Sequence, residues 1–265
     1  MKNWIIGFFF TAFIISCGQN DETTNNATKE QSQLINDLKK QVQQQPDSAG
    51  LRMRLVNALD SVGMYKEAIA QTDSLIKRDS LNNGLWFTKA LLFESNKDTA
   101  EAIKSYERAL HIYPSVETQL NLANLLAETK NARSLLICRN VSRMGLGRET
   151  DASCNFIAGV YYARTGNNQQ ALHLFDKAIN DNYTLMEAYM EKGFIYYESR
   201  NYADAVKVFE TAITVNKMYP DAYYWKAKCF EAMGNKEEAL VNYKRSLGLD
   251  KNLKEAADAV ERLSS

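Results

Sequence analysis

With 265 residues, 45% of them hydrophobic, the chain is long enough to bury a large core, and a 24% share of charged residues suits a soluble body. Lys plus Arg and Asp plus Glu number 32 each, so no bulk charge draws the chain to nucleic acid or to an acidic membrane surface. Only three prolines and twelve glycines, with Ala, Leu, Glu and Lys common, favour helix throughout.

The first seventeen residues differ from the rest. Lys2 gives a short basic start, Trp4 to Ile15 is an apolar run of twelve, and Ile14-Ile15-Ser16-Cys17 closes it. Twelve residues at ~1.5 Å each fall short of the ~30 Å hydrocarbon core, so a resident transmembrane helix is not expected. The run resembles a secretory signal ending in the lipobox of bacterial lipoproteins. That resemblance implies that residues 1–16 are a signal peptide, cleaved before Cys17, whose sulfur and new amine would carry acyl chains. Ile15 departs from the Ala, Ser or Thr usual at its position. An ordinary cleaved signal and an uncleaved anchor are the other readings. Loss of residues 1–16 removes one lysine and no acid, leaving 31 bases against 32 acids, or −1. The polar stretch that follows lacks apolar periodicity, so residues 17–29 read as the lipidated Cys and a tether with a coil length of roughly 20 Å. Gly18 stands where an aspartate would signal inner-membrane retention in enteric-type lipoproteins. The resemblance therefore implies the outer membrane, periplasm-facing or surface-exposed.

From Glu30 to Gln45, Leu34, Leu38 and Val42 fall on one helical face, and residues 30–46 read as an N-terminal capping helix. Beyond it the chain repeats. The clearest unit runs from Met186 to Tyr219, two helical patterns meeting at Ser199-Arg200-Asn201. Tyr189, Lys192, Gly193 and Tyr196 share a face of the first, and Ala205, Phe209, Ala212 and Ile213 a face of the second. Gly193 and Ala205 are small enough for two antiparallel helices to approach, and Phe209 fills the gap to the next pair. Ala68, Ala102, Ala171, Ala205 and Ala239 recur at spacings of 34, 69, 34 and 34, which places about six repeats over residues 47–253. In this Tyr, Gly, Tyr, Ala, Phe, Ala pattern the chain resembles the tetratricopeptide repeat. The resemblance implies an all-α, right-handed α-solenoid of helix-turn-helix repeats.

The third repeat, residues 116–151, departs from the pattern. Gln119, Leu122, Ala123 and Leu126 make a good first helix, but Asn131 to Arg143 lacks the alanine and aromatic in register, and Gly145 and Gly147 sit in the joint after it. Nearest-neighbour packing should be weakest there, as a hinge or as a decayed repeat held rigid by its neighbours. Residues 254–265 form a C-terminal capping helix, with Leu253, Ala256, Ala257 and Val260 inward and Lys254, Glu255, Asp258, Glu261 and Arg262 toward water.

Little here suits catalysis. His111 and His173 fall in second helices without a nucleophile or carboxylate set, and no phosphate loop or metal motif appears, so no enzyme, cofactor, metal or small-molecule substrate is expected. Cys138, Cys154 and Cys229 lack framework spacing. Buried free thiols and a Cys138–Cys154 disulfide are both open.

In the tetratricopeptide family the first helices line an inner groove through their fifth, ninth and twelfth positions. Carried onto this chain, the fifth position holds Met53, Phe87, Leu120, Phe156, Met190 and Tyr224. The ninth holds Asn57, Leu91, Asn124, Val160, Phe194 and Lys228, and the twelfth adds Tyr197. Glu187, Glu191, Glu198, Asp221 and Glu231 flank the later stretch. An apolar strip rimmed by charge suits an extended or helical peptide, so the resemblance implies a peptide-binding groove at Phe156, Val160, Met190, Phe194, Tyr197, Tyr224, Lys228, Glu187 and Glu191. The chaperone-gripping carboxylate clamp is not expected, because Glu117 and Asn121 stand where its basic pair would fall. The expected function is a membrane-tethered protein-binding scaffold of a cell-envelope complex. The alternative is a constitutive subunit packed through its convex face.

Overall fold

A computed structural model of the protein describes residues 21–264, with side chains described from Lys29 onward. Among the described residues there are fourteen helices and no strand. They are α1 (Asp21–Gln44), α2 (Ala49–Ser61), α3 (Tyr65–Ile76), α4 (Asn83–Ser95), α5 (Thr99–Ile112), α6 (Val116–Glu128) and α7 (Arg133–Ser142). The series continues with α8 (Arg148–Arg164), α9 (Asn168–Asp181), α10 (Met186–Glu198), α11 (Tyr202–Val215), α12 (Pro220–Ala232), α13 (Lys236–Leu249) and α14 (Lys254–Ser264). None of them is long and apolar enough to cross a membrane. The expected signal peptide and the expected lipidation site at Cys17 lie outside the described residues.

The helices form an α-solenoid of antiparallel pairs in two compact units, Met1–Leu125 and Leu126–Ser265. The division falls inside α6, the first helix of the third repeat, and not at the two-glycine joint. In the first unit α1 packs on the α2–α3 pair through Ile35, Leu38 and Val42, which join Leu55, Val56, Leu59 and Ala68 in one cluster. Two expectations change here. Leu34 is exposed and Ile35 takes its place, because a stripe spaced i, i+3, i+7 runs through Ile35. The helix also begins at Asp21 rather than Glu30, across residues read as tether. Once packed turns supply the nucleus, each further helical residue adds one hydrogen bond and extension is cheap.

Side-chain size fixes how closely each pair packs. A Cβ built on Gly193 would lie 2.4 Å from the ring of Phe209, and one on Gly159 2.6 Å from Phe175. These two glycines are therefore required by contact and not by φ. Where the small residue is alanine, the aromatic is tyrosine: Ala90 with Tyr106, Ala227 with Tyr243. Each buried hydroxyl then donates to a carboxylate one turn beyond the alanine, Tyr106 to Glu94 and Tyr243 to Glu231. The turns within pairs repeat as well. A residue with positive φ (Lys97, Gly166, Arg200 or Gly234) precedes Asp98, Asn167, Asn201 or Asn235, whose side chain accepts the N–H three residues on.

The third repeat keeps the plan with smaller side chains. On α7, Ser134, Cys138 and Val141 are buried at the spacing of Ala205, Phe209 and Ala212, so serine replaces alanine and cysteine the aromatic. Helix α7 has ten residues where α9, α11 and α13 have fourteen, and its N-cap Ala132 offers no side-chain hydrogen bond. The buried Ser134 hydroxyl has no partner. These are marks of a weakly held helix, yet α7 packs directly on α8 across the joint.

Candidate functional site

All residues expected to line the groove lie in the second unit, on the first helices α8, α10 and α12, and there the strip divides. Phe156 is 8% exposed, Val160 1% and Met190 5%, so this end is core: Phe156 lies 5.9 Å from the Phe175 ring and Met190 joins the cluster around Phe209. These three are corrected from groove to packing residues. Phe194, Tyr197, Tyr224 and Lys228 are half-buried and stay together.

Trp225 holds them. Its ring meets Phe194 at 4.6 Å, Tyr197 at 5.4 Å and Tyr224 at 5.7 Å between centroids, all edge-on, which suits the ring quadrupoles. The Lys228 ammonium lies 5.5 Å from the Trp225 centroid and 5.8 Å from that of Tyr224, and Tyr202 adds an edge contact to Tyr197. Trp225 escapes the fifth-and-ninth register because it stands sixth. The sixth position is the one that reaches back to the preceding first helix.

Glu191, also sixth in its repeat, follows the same rule. It was expected on the groove rim but is 7% exposed and paired. Arg164 of α8 donates to both Glu191 oxygens at 2.8 Å and to both Glu128 oxygens at 2.8 and 3.1 Å. One guanidinium thus ties three successive first helices, with two forked pairs using its planar donor set. Glu187 is not brought to the cleft either. Its charge acts on Tyr219, whose hydroxyl is pushed upward mainly by burial and also by Asp221 and Glu187.

Replacing Arg164 with Met should cost about 3 kcal/mol near neutral pH, because two facing carboxylates lose their cation. Burial already holds the Glu128 carboxyl above its usual range against the lowering pull of Arg164. In the variant its folded pKa rises further above the unfolded one, so stability returns as pH falls through that folded value. Urea midpoints should therefore converge with wild type between about pH 7 and about pH 5. A deficit unchanged over that interval would contradict the role.

Beside the aromatic group lies a cleft of about 480 Å³ lined by Tyr197, Tyr224, Lys228, Glu231, Ala232, Tyr243, Glu255, Asp258, Ala259 and Arg262. Helix α14 forms its far wall. Ala256 and Ala259 seat α14 against Ala227, Ala239 and Tyr243. Arg262 pairs with Glu231 at 2.6 Å and holds that carboxyl below its usual range. Glu255, Asp258 and Arg262, expected to face only water, thus also line the cleft. Burial, with Glu255 nearby, pushes the Tyr224 hydroxyl up to about 12, so it stays a protonated donor. His111 and His173 are exposed, and no group of three or more His, Cys, Asp or Glu among the described residues could hold a metal.

A family model described as tetratricopeptide repeat matches residues 53–117 and 190–253. The chain is a tetratricopeptide repeat protein. Solved structures agree on the fold. A tetratricopeptide repeat protein from Parabacteroides merdae superimposes with a TM-score of 0.70 at 16% identity, over 90% of this chain and 94% of that one. PilW, a widely conserved type IV pilus biogenesis factor, gives 0.62 at 19% identity, over 81% of this chain and 97% of its own. Yeast Tom70 gives 0.59 at 14% identity over 92% of this chain, which spans 60% of Tom70. At such identities the likeness speaks for the fold alone. No curated protein matches the tetratricopeptide repeat chain.

Proposed function

We propose that this tetratricopeptide repeat protein is a non-enzymatic, membrane-tethered scaffold that takes a peptide segment of a protein partner in the cleft between α10, α12 and α14. The observation that carries the reading is the pair of half-buried rings Tyr197 and Tyr224 lining that cleft, packed with Trp225 and, through it, Phe194. Closely packed aromatics are the usual anchors of protein interfaces, and a charged rim sets register. The segment that fits carries an apolar or aromatic anchor for Tyr197 and Tyr224 and a basic neighbour for Glu255 and Asp258. A photo-cross-linking residue at position 197 should capture the partner, and one at the exposed Val241 on α13 should not. Capture from position 241 alone would favour the constitutive subunit packed through its second helices.

The tether and the envelope role rest on the leader and Cys17. PilW, of the same fold, serves pilus biogenesis, and an assembly role in the envelope is compatible with that likeness. Cys17→Ser should abolish acylation and normal processing and release the chain from membranes, since stable anchoring takes two acyl chains or an equivalent second signal. Mass spectrometry finding an unmodified mature N-terminus at another residue would overturn the lipoprotein reading.

A further inference from the structure

The α7–α8 junction carries a thiol pair that the groove does not use. Elsewhere in the second unit, the gap to the next repeat is filled by an aromatic set against an alanine. Phe209 and Ala222 share one core cluster, and Tyr243 and Ala256 share another. At this junction the corresponding places hold Cys138 and Cys154, both buried and both free. Their sulfurs hydrogen-bond to each other. The levels agree as well. Cys138 lies four residues before the end of α7 and Cys154 six after the start of α8, roughly 6 and 9 Å along two helix axes joined by a short loop. An aromatic–alanine pair has thus given way to two groups of equal size, facing each other across two packed helices. Helix α7 is the short helix whose N-cap residue Ala132 offers no side-chain hydrogen bond and whose Ser134 hydroxyl is orphaned, so a covalent link here would fasten a weakly anchored element.

We propose that Cys138 and Cys154 form a disulfide site, closed by exchange with an external disulfide, that fastens α7 to α8. The Cys154 thiolate attacks a disulfide RS–SR, forming Cys154–S–SR and releasing RS⁻, which takes up the proton Cys154 gave up. The Cys138 sulfur then attacks the Cys154 sulfur and displaces the second RS⁻, which receives the Cys138 proton. Two thiols lose two electrons and two protons, and RS–SR becomes two RSH. The order follows from the hydrogen bonds: Cys138 and Ser142 donate toward Cys154 and bring its thiol down to about 7, while Cys138 is pushed up. Cys229 lies apart, in the cluster around Phe209, with its thiol pushed up by burial to about 12.

The full chain is incubated with oxidised glutathione at mildly alkaline pH, alkylated and digested with trypsin. Cys138 falls in peptide 134–139 and Cys154 in peptide 149–164. The expected product joins these two peptides, leaves Cys229 alkylated and reverts on reduction. Amide exchange in α7 should slow roughly tenfold on oxidation. In Cys138→Ser, Cys154 should instead keep glutathione as a mixed disulfide, and α7 exchange should not slow. Wild-type Cys154 that keeps glutathione or stays alkylatable would overturn the proposal. So would a link to Cys229, or a joined pair that leaves α7 exchange unchanged.

Discussion

Phe209→Ala should cost about 3–5 kcal/mol, a large part of a typical domain's stability, because a fully buried ring between two repeats leaves a cavity the helices cannot close. Gly193→Ala should cost roughly 1–3 kcal/mol from the opposite fault, since its new methyl would sit within 2.4 Å of the same ring. The two faults share one space, so their costs should not add. Gly193→Ala combined with Phe209→Leu should recover part of the loss, because the smaller side chain vacates the region the methyl needs. Gly159→Ala against Phe175, at 2.6 Å, should behave like Gly193→Ala. Urea midpoints of these four variants and of Phe209→Leu alone decide the matter. Strict additivity, or a Gly193→Ala midpoint equal to wild type, would contradict the close-contact account.

That pair shows what the sequence made legible. A residue type forced by contact at a fixed offset, such as Gly193 with Phe209 or Ala227 with Tyr243, repeats every 34 residues and reads directly. The third repeat read as decayed because Ser134 and Cys138 meet the same demand with other residue types. In the buried stripe of α1, Leu38 and Val42 read directly but Ile35 stands in place of Leu34, because the two fit a helical period almost equally well and only packing on α2 and α3 chooses between them.

The site was harder to read than the fold. The fifth, ninth and twelfth positions name residues on the inner face, and whether a neighbour covers them depends on the neighbour. Phe156, Val160 and Met190 are covered by adjacent helices, while Phe194, Tyr197 and Tyr224 remain open. Contacts between repeats run through the sixth position, where Glu191 and Trp225 stand. One meets Arg164 and the other meets Phe194 and Tyr197. The wall formed by α14 could not be inferred from a pattern that treats a final helix only as a solvating cap.

Binding in the cleft is tested most directly by the affinity of the partner segment, once cross-linked at position 197 and identified, for the wild type and for Tyr197→Ala combined with Tyr224→Ala. These rings open on the cleft from two successive first helices, and anchors of this kind lose about 2 kcal/mol or more on truncation. The expected result is a loss of at least roughly thirtyfold in affinity, with helix content retained because Gly193, Phe209 and the Arg164 pairs are untouched. Wild-type affinity in a folded double variant would contradict binding in the cleft and leave the second-helix face as the interaction surface.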